Sequence, residues 1–345
     1  MLLSDFHYDL PLERIAQEPA SPRDSARLML INRTTGKISH HHVSDLPTLL
    51  PHNYFVVANN TKVFPARILG HKPTGGKVEI LLISPLGQSR YKCIAKPGLK
   101  TGDVVLFNTG LVGTITAVSK DIERIIEFNQ EESMLRTTLS QIGSMPTPPY
   151  IKKLLGNPDD YQTIYAKYGF SAAAPTAGLH FTPELLNHIK KDHSWEEITL
   201  NVGLGTFLPV KENDIEKHHM HEESYTVNES TAQNIQAHKQ AGQKLLSIGT
   251  TTMRALESNP KLIPGENNTA IFIYPPYKFQ LTDALMTNFH LPGSTLLMLV
   301  SAFCTYPNTE EKFTIFKESL LGKAYAEAIR ENYRFFSFGD AMLII

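Results

Sequence analysis

The sequence predicts an α/β main domain, built on a partly parallel sheet or a distorted barrel flanked by helices, with an all-β barrel inserted into it. Short β-rich runs fill residues 61 to about 141, and strands alternate with helices after residue 150. With 345 residues and 41% hydrophobic side chains, the chain can form one large domain and a smaller one. We therefore expect a discontinuous main domain of residues 1–60 and 146–345 and a barrel domain of residues 61–145.

The first block of the chain contains hairpin and strand signals. Residues 28–40 (LMLINRTTGKISH) place turn-forming residues between two apolar runs, which predicts a β-hairpin. A strand follows at residues 54–58. The next block contains the runs VEILLI, YKCIA, DVVLF, GTITAV and RIIEF, separated by turns, which is typical of a small antiparallel barrel or sandwich. The prolines of MPTPPY then favour a stiff, extended return to the main domain.

Composition limits the classes of protein to consider. Cys93 and Cys304 are far apart, so they indicate neither a disulfide framework nor a thiolate zinc cluster. The first residues carry acids and lack the basic and apolar regions of a signal peptide. The most apolar run, residues 296–303, is far shorter than the ~20 residues that span a bilayer and predicts a buried helix. We expect a cytoplasmic protein with no membrane contact.

The charge of the chain gives no single answer on whether it binds nucleic acid. The formal net charge of -1 argues against a general electrostatic attraction to phosphates. A local basic face remains feasible, because Lys62, Arg67 and Lys77 lie close together in the sequence. The alternative is that these are separate solvated side chains on strand edges.

Three predicted strand-to-helix junctions carry polar residues among small ones. In AAAPTAGLHFTP, Gly178 permits a positive φ, His180 precedes the helix, and Thr182 is a predicted N-cap; an ordinary tight turn is the alternative. In KLLSIGTTTMRALES a predicted buried strand leads to a threonine-rich helix start, and the helix carries Arg254. This arrangement suits the binding of a carboxylate or phosphate group. The alternative is an ordinary threonine N-cap with an arginine on the surface. In LMTNFHLPGST, His290 lies before an apolar helix. The ends of parallel strands converge, so we expect these junctions to line one crevice with the 203–207 loop.

Two further segments suggest local structure. In EKHHMHEES, the residues His219, His221 and Glu223 would share one face of a strand, so a metal site is geometrically feasible, but spacing alone is weak support and we assign no metal. The last segment, ENYRFFSFGDAMLII, predicts a final strand pair with a turn at Gly339 and Asp340.

Taken together, these motifs resemble the S-adenosylmethionine:tRNA ribosyltransferase-isomerase family of queuosine biosynthesis. The resemblance covers nearly the whole chain in the family's order. It rests on the segments ANNTKVFPARILG, TGGKVEILL, PPYI, YQTIYA, APTAGLHFTPELL, VGLGTF, HHMHEE, GTTTMRALE, TNFHLPGSTLLMLVSAF and YRFFSFGDAMLI.

The resemblance implies an enzyme that transfers and isomerises the ribosyl part of S-adenosylmethionine onto a 7-aminomethyl-7-deazaguanine base in a tRNA anticodon. The products are epoxyqueuosine in tRNA, adenine and methionine. S-adenosylmethionine would be a consumed co-substrate, with no bound cofactor, no metal and no obligate protein partner. The implied architecture, an α/β domain with a β-barrel insert, agrees with the pattern of strands and helices.

Residue roles follow from the chemistry that the resemblance implies. Removing a proton beside the sulfonium needs a base, and histidine is the natural choice. The catalytic candidates are His180 and His290, followed by His221 and Glu223. The candidates for binding S-adenosylmethionine are Thr176, Gly178, Phe181, Gly203, Gly205, Thr206, Phe207, Thr250, Thr251, Arg254, Asn288 and Asp340. The candidates for binding tRNA are Lys62, Arg67, Lys77 and Arg334.

Two other classes of protein are compatible with part of the sequence. A methyltransferase would show a glycine-rich first strand-helix turn followed by an acid after the next strand, and this arrangement is not evident in the sequence. A non-enzymatic RNA-binding module would explain the β-rich insert. It would leave the histidine-bearing and arginine-bearing junctions without a role.

Overall fold

The structure is a computed structural model that describes residues 1–119, 122–153, 155–203 and 210–345. In chain order its strands are β1 (Arg27–Ile31), β2 (Ile38–His42), β3 (Tyr54–Asn59), β4 (Thr61–Val63), β5 (Arg67–His71), β6 (Lys77–Gly87), β7 (Arg90–Lys96), β8 (Val104–Leu106), β9 (Val112–Val118), β10 (Glu123–Phe128), β11 (Tyr168–Ser171), β12 (Trp195–Leu200), β13 (Glu223–Val227), β14 (Lys244–Ile248), β15 (Gly265–Thr269), β16 (Ala284–Asn288) and β17 (Ala341–Ile344). The α-helices are α1 (Leu46–Leu49), α2 (Glu132–Ile142), α3 (Pro183–Asp192), α4 (Glu229–Gln240), α5 (Thr250–Ser258), α6 (Thr295–Phe303) and α7 (Leu320–Arg330).

A mixed nine-stranded sheet forms the centre of the main part of the molecule. Its order is β15-β13-β12-β3-β14-β16-β17-β1-β2. Strands β12, β3, β14 and β16 are parallel neighbours, whereas β17 runs antiparallel to β16. The predicted α/β fold with a partly parallel sheet is confirmed, and so is the first hairpin, in which β1 pairs with β2 across the Asn32–Gly36 turn.

Both faces of this sheet are covered, as the alternation of side chains along a strand requires. In β17, Met342 and Ile344 join a buried cluster with α6 and α7, whereas Ala341 and Leu343 join a cluster with α1 and α3 on the other face. Helix α6 is buried along nearly its whole length, which confirms the buried helix predicted from its apolar run. The parallel strands are therefore shielded from water on both faces, and their ends are the places where polar chemistry can be exposed.

The β-rich runs form a closed six-stranded antiparallel barrel in the order β10-β7-β6-β5-β8-β9. The predicted all-β barrel is confirmed. Alternate residues such as Val78, Ile80 and Leu82 of β6 point into its apolar centre. Strand β4 lies outside the barrel and pairs with β11. The exact division of the chain into domains stays a prediction.

The prolines of residues 144–150 connect the barrel to the main sheet. The main chain of Ser144 pairs with that of Arg67 in β5, and the Arg67 Nη2 donates a hydrogen bond to the carbonyl oxygen of Thr147 at 3.2 Å. Tyr150, at the other end of the segment, donates or accepts a hydrogen bond at 2.8 Å with the Ser337 hydroxyl. The segment is thus fixed at both ends.

The predicted final strand pair is wrong in its first half. Strand β17 forms, but the segment before it makes only an isolated bridge between Phe335 and Ile15, followed by a turn at residues 336–339. The turn is held by the buried carboxylate of Asp340, which accepts hydrogen bonds from the main-chain N–H groups of Arg27 and Arg334 at 3.0 and 2.7 Å. Because these bonds come from a distant strand and from the turn itself, no local sequence pattern indicates them.

One buried carboxylate connects helix α5 to the segment that precedes β16. Glu257 accepts hydrogen bonds from three consecutive main-chain N–H groups, those of Gln280, Leu281 and Thr282, at 2.8, 3.1 and 3.0 Å. Burial raises the pKa of this carboxyl group. The contact fixes the helix relative to the strand, and both carry residues of the cleft described below.

We predict that Glu257→Ala lowers the free energy of unfolding by about 2 kcal/mol or more, since it leaves the two buried N–H groups of Leu281 and Thr282 unpaired at ~1–3 kcal/mol each. Chemical denaturation measures this change. Glu266→Ala, which removes an exposed carboxylate, is the control and should change stability by less than about 0.5 kcal/mol. Equal stability of the two variants would contradict the role assigned to Glu257.

Candidate functional site

A cleft opens at the edge of the main sheet where the parallel strands end. Its space, including the open mouth, is about 660 Å³. It is lined by Tyr150, Ala174, Pro175, Thr176, Ala177, Val202, Gly249, Thr250, Thr251, Thr287, Asn288, Phe289, His290, Leu291, Ser294, Leu296, Phe336 and Ser337. The three predicted junctions therefore meet in one place, as expected from the convergence of parallel strands.

The first junction contributes small side chains to the cleft wall. Thr176–His180 forms a 3-10 helix, and the Thr182 side chain caps α3 by accepting a hydrogen bond from the N–H of Leu185. Gly178 does not have a positive φ. It is packed instead against Tyr165, because a Cβ at this position would lie 2.0 Å from the Tyr165 hydroxyl oxygen. Gly178 thus lets the loop pack closely against the core behind the cleft.

The second junction brings a helix start to the cleft. Gly249 has φ of +87°, a conformation that glycine adopts without strain, and α5 begins at the next residue. The Thr250 and Thr251 side chains line the cleft at this helix start, where main-chain N–H groups favour an anionic group. Asn59, at the end of β3, donates a hydrogen bond to the Thr251 hydroxyl at 3.5 Å.

Arg254 and Glu223 form a buried ion pair beside the cleft. The Arg254 Nη1 lies 2.7 Å from the Glu223 Oε2, and the two side chains are only 3% and 2% exposed. Glu223 Oε1 also accepts a hydrogen bond from the N–H of Gly203 at 2.9 Å. The arginine charge is therefore balanced by a carboxylate, and neither side chain is among the described residues that line the cleft. The pair joins α5 to the first residue of β13.

The third junction places one histidine in the cleft wall. His290 Nε2 lies 3.0 Å from the Thr287 hydroxyl oxygen, and the His290 N–H donates to the Tyr325 hydroxyl at 2.9 Å. The Tyr8 hydroxyl donates to the carbonyl oxygen of His290. Burial lowers the pKa of His290 to about 3, so its imidazole is neutral near pH 7.

His180 lies next to the cleft wall rather than in it. Its Nε2 accepts a hydrogen bond from the Asn288 side-chain amide at 3.2 Å, and Asn288 lines the cleft. Burial, together with the nearby charges of Arg334 and Arg23, lowers the pKa of His180 to about 4. Because Nε2 accepts a hydrogen bond, the proton of this neutral imidazole is on Nδ1.

Sequence reasoning missed an aromatic part of the wall. Tyr150 and Phe336 line the cleft with ring centroids 4.9 Å apart and ring planes at 52°. Phe336 has φ of +69°. This main-chain conformation costs a bulky residue ~1–3 kcal/mol and persists only where the surrounding structure holds it. Burial raises the pKa of Tyr150 to about 12, so its hydroxyl stays protonated. The motifs PPYI and YRFFSFGD contain both rings, but local patterns indicated a linker and a strand.

Other sequence-predicted residues lie away from the cleft. Phe181 is fully buried against Tyr165 and Trp195 in the core. The predicted strand through His219 and His221 is wrong, because β13 begins only at Glu223, and His221 is exposed in the preceding segment. Gly205, Thr206 and Phe207 lie outside the described residues.

The basic residues predicted for tRNA lie on different elements of the structure. Lys62 on β4 and Lys77 on β6 are exposed. Arg67 is partly engaged, with its Nε 3.7 Å from Glu79 Oε1. Arg334 lies in the turn beside the cleft, with its Nη2 3.6 Å from Asp340 Oδ1.

In residues 1–119, 122–153, 155–203 and 210–345, no three His, Cys, Asp or Glu side chains are grouped as metal ligands. Within the same part of the chain, no helix is long and apolar enough to cross a membrane.

Comparison with known proteins gives the class of this protein. A family model described as "Queuosine biosynthesis protein" matches residues 3–344, so the chain belongs to the family of queuosine biosynthesis proteins. Curated relatives in this family are named S-adenosylmethionine:tRNA ribosyltransferase-isomerase, a transferase and isomerase, which confirms the resemblance stated from the motifs.

The relatives match along the whole chain. The protein from Fusobacterium nucleatum is 48% identical over 99% of this chain and 96% of its own length. The protein from Symbiobacterium thermophilum is 47% identical over 100% of both chains. The crystal structure of S-adenosylmethionine tRNA ribosyltransferase from Thermotoga maritima is similar with a TM-score of 0.56 and 35% identity, covering 99% of this chain and 100% of that one.

We predict that Gly178→Ala destabilises the protein by about 2 kcal/mol or more, because the added methyl group overlaps Tyr165. Gly156→Ala is the matched control, since a Cβ there meets no atom within 4 Å. Adding Tyr165→Phe should partly restore the stability of Gly178→Ala, since the nearest overlapping atom is removed. Thermal unfolding of the four proteins checks this, and a Gly178→Ala protein as stable as Gly156→Ala would refute it.

The two buried neutral histidines make stability depend on pH. Their folded pKa values of about 3 and 4 lie below the unfolded value of ~6.5, so below that pH the unfolded chain binds protons that the folded chain does not. Stability should therefore fall as the pH falls from ~6 to ~4, by about 1.4 kcal/mol per pH unit for each histidine.

Urea denaturation across this pH range measures the slope. His290→Asn should reduce the slope of stability against pH by about 1.4 kcal/mol per pH unit. His188→Asn, at an exposed position of α3, should leave the slope unchanged. An unchanged slope in His290→Asn would contradict the lowered pKa of His290.

Proposed function

We propose that this protein transfers and isomerises the ribosyl part of S-adenosylmethionine onto 7-aminomethyl-7-deazaguanine in a tRNA anticodon, giving epoxyqueuosine with release of adenine and methionine. The observation that carries the proposal is the cleft itself, in which a neutral histidine, a helix start and a polar strand end meet in a member of this family. S-adenosylmethionine and tRNA are taken from the names of its relatives. We place the reaction in the cytoplasm.

The reaction needs a base beside the sulfonium. Removing a proton from the carbon next to the sulfur gives an ylide, and adenine then leaves from the ribose. His290 is the preferred base, because it is the candidate histidine that lines the cleft. Its contacts with Thr287 and Tyr325 fix its position.

His180 is proposed as a positioning residue. It accepts a hydrogen bond from Asn288, and the same amide group donates to the carbonyl oxygen of Phe336 at 3.0 Å. Loss of the imidazole would release Asn288 and the turn that follows. Glu223 and His221 remain weaker candidates for the base, because one is paired with Arg254 and the other is exposed.

The methionine end of the co-substrate needs donors for its carboxylate. Thr250 and Thr251 supply hydroxyl groups at the start of α5, where the main-chain N–H groups add to the positive potential. We assign Thr176 and Asn288 to the same co-substrate, since both line the cleft. Arg254, Gly178, Gly203, Phe181 and Asp340 do not line the cleft and are not proposed to touch the co-substrate.

We propose that tRNA contacts both the barrel and the rim of the cleft. The modified base leaves the anticodon stack to reach the cleft, since chemistry on a base requires its exposure. Lys77 and Arg67 on the barrel, Lys62 on β4 and Arg334 in the segment before β17 would bind phosphates. The residue 144–150 segment, fixed at Arg67 and at Tyr150, joins the barrel domain of residues 61–145 to the main domain of residues 1–60 and 146–345.

The proposed activity is tested by incubating purified protein with S-adenosylmethionine and tRNA carrying the 7-aminomethyl base. Chromatography should detect adenine, and mass spectrometry of the digested tRNA should detect the epoxyqueuosine nucleoside. A folded protein that releases no adenine would refute the proposal. Recovery of a methylated base would instead support a methyltransferase.

In the same assay, His290→Asn should lower kcat by about 100-fold or more, as expected for loss of a general base. His180→Asn should lower kcat less, by about 10-fold. Because His180 is proposed only to position Asn288, activity of this variant should fall with decreasing pH in the same way as that of the wild type. His188→Asn, at an exposed site on α3, is the control and should be normal. Near-normal turnover in both His290→Asn and His180→Asn would exclude both histidines.

A further inference from the structure

Tyr150 and Phe336 bring two aromatic rings to one side of the cleft from distant parts of the chain. Tyr150 ends the proline-rich segment that leaves the barrel, and Phe336 lies in the turn before β17. Their ring centroids are 4.9 Å apart, and both residues line the cleft. We call this pair the aromatic wall.

The Tyr150 side of the aromatic wall is fixed by three polar contacts. Its hydroxyl is 2.8 Å from the Ser337 hydroxyl, and its carbonyl oxygen accepts a hydrogen bond from Gln17 Nε2 at 3.0 Å. Gln17 Oε1 accepts another from the N–H of Lys152 at 2.8 Å. The ring is therefore held in place before any ligand arrives, which lowers the entropy lost on binding.

The Phe336 side is held in a conformation that an aromatic residue seldom adopts. Its φ is +69°, and its carbonyl oxygen accepts hydrogen bonds from Asn288 Nδ2 and from the N–H of Gly339 at 3.0 and 2.9 Å. Its N–H donates to the carbonyl oxygen of Phe289 at 3.2 Å. Glycine would accept this conformation without strain, whereas the Phe336 ring packs both into the buried cluster with α6 and α7 and against Tyr150.

The rest of the cleft fits a flat, nitrogen-containing ring. Ala174, Pro175, Ala177 and Val202 give it small apolar surfaces. Asn288 is 2% exposed, and among the described residues no donor reaches its Oδ1. Its Nδ2 is already engaged with Phe336 and His180. This oxygen lacks the partner that buried polar atoms normally have, and an N–H group of a ligand in the cleft would supply one.

We propose that the aromatic wall stacks on a purine-type base and that Asn288 Oδ1 accepts a hydrogen bond from an amino group of that base. This inference rests on the proposed function, which supplies two such bases: the adenine of S-adenosylmethionine and the 7-deazaguanine of the tRNA. Both are planar heteroaromatic rings with an exocyclic amino group. Stacking on aromatic side chains is a general way to hold such bases.

The test uses Tyr150→Ala, Tyr150→Phe and Phe336→Gly, with Tyr306→Ala as the control. Tyr306 is 53% exposed and does not line the cleft. Phe336→Gly removes the ring but favours the observed main-chain conformation, and Tyr150→Phe keeps the ring but removes the hydroxyl. Thermal unfolding verifies that each variant is folded.

The KM values for S-adenosylmethionine and for tRNA are measured separately, each with the other substrate saturating. Tyr150→Ala and Phe336→Gly should each raise one of these KM values by about 10- to 100-fold, and Tyr150→Phe should stay within about threefold of wild type. A raised KM for S-adenosylmethionine identifies adenine as the stacked base, and a raised KM for tRNA identifies the 7-deazaguanine. Unchanged KM values in both ring-deleting variants overturn the proposal, as does an equal effect of Tyr150→Phe and Tyr150→Ala.

Failure of the proposed function is recognised separately, as a wild-type protein that releases no adenine. In that case calorimetric titration of adenosine and of 7-deazaguanosine into the same proteins decides the inference. Binding of either nucleoside that weakens at least tenfold in Tyr150→Ala and Phe336→Gly supports the aromatic wall. Wild-type protein that binds neither nucleoside, or variants that bind like wild type, overturn it.

Discussion

The parallel register of β3, β14 and β16 is the constraint on which the rest of the site depends. Ile248 of β14 is paired with Ala58 of β3 on one side and with Met286 of β16 on the other. The polar residues that follow each strand therefore start from the same level of the sheet. A shift of one residue in this register would turn every buried side chain to the opposite face, so packing on both faces fixes it.

Buried polar contacts hold the elements that follow the aligned strands in place, and this gives the cleft a defined shape. Glu257 holds α5 against the segment before β16, and Asp340 holds the turn before β17. Asn288 lies between these elements and contacts both His180 and the carbonyl oxygen of Phe336. Each of these groups would be costly to bury without its partner, so the same contacts that stabilise the fold keep the cleft residues in place.

The barrel is joined to the cleft by more than the covalent chain. Arg67, on the barrel, contacts the Thr147 carbonyl, and Tyr150, a few residues on, contacts Ser337 in the cleft. The barrel and the cleft are therefore connected through one short, proline-rich segment that is fixed at both ends.

The sequence by itself determined the fold class, the barrel, the family and the three junctions, because each depends on local periodicity, turn residues or motifs that span few residues. Thr182 as the cap of α3 and the apolar run of α6 are examples, since their partners lie within one helix turn or on an obvious apolar face. Only the tertiary structure decided which junction residues reach the cleft. His290 lines it while His180 lies next to its wall, Arg254 is paired with Glu223, and Tyr150 meets Phe336. These outcomes depend on side-chain direction and on partners far away in the chain, which no local pattern encodes.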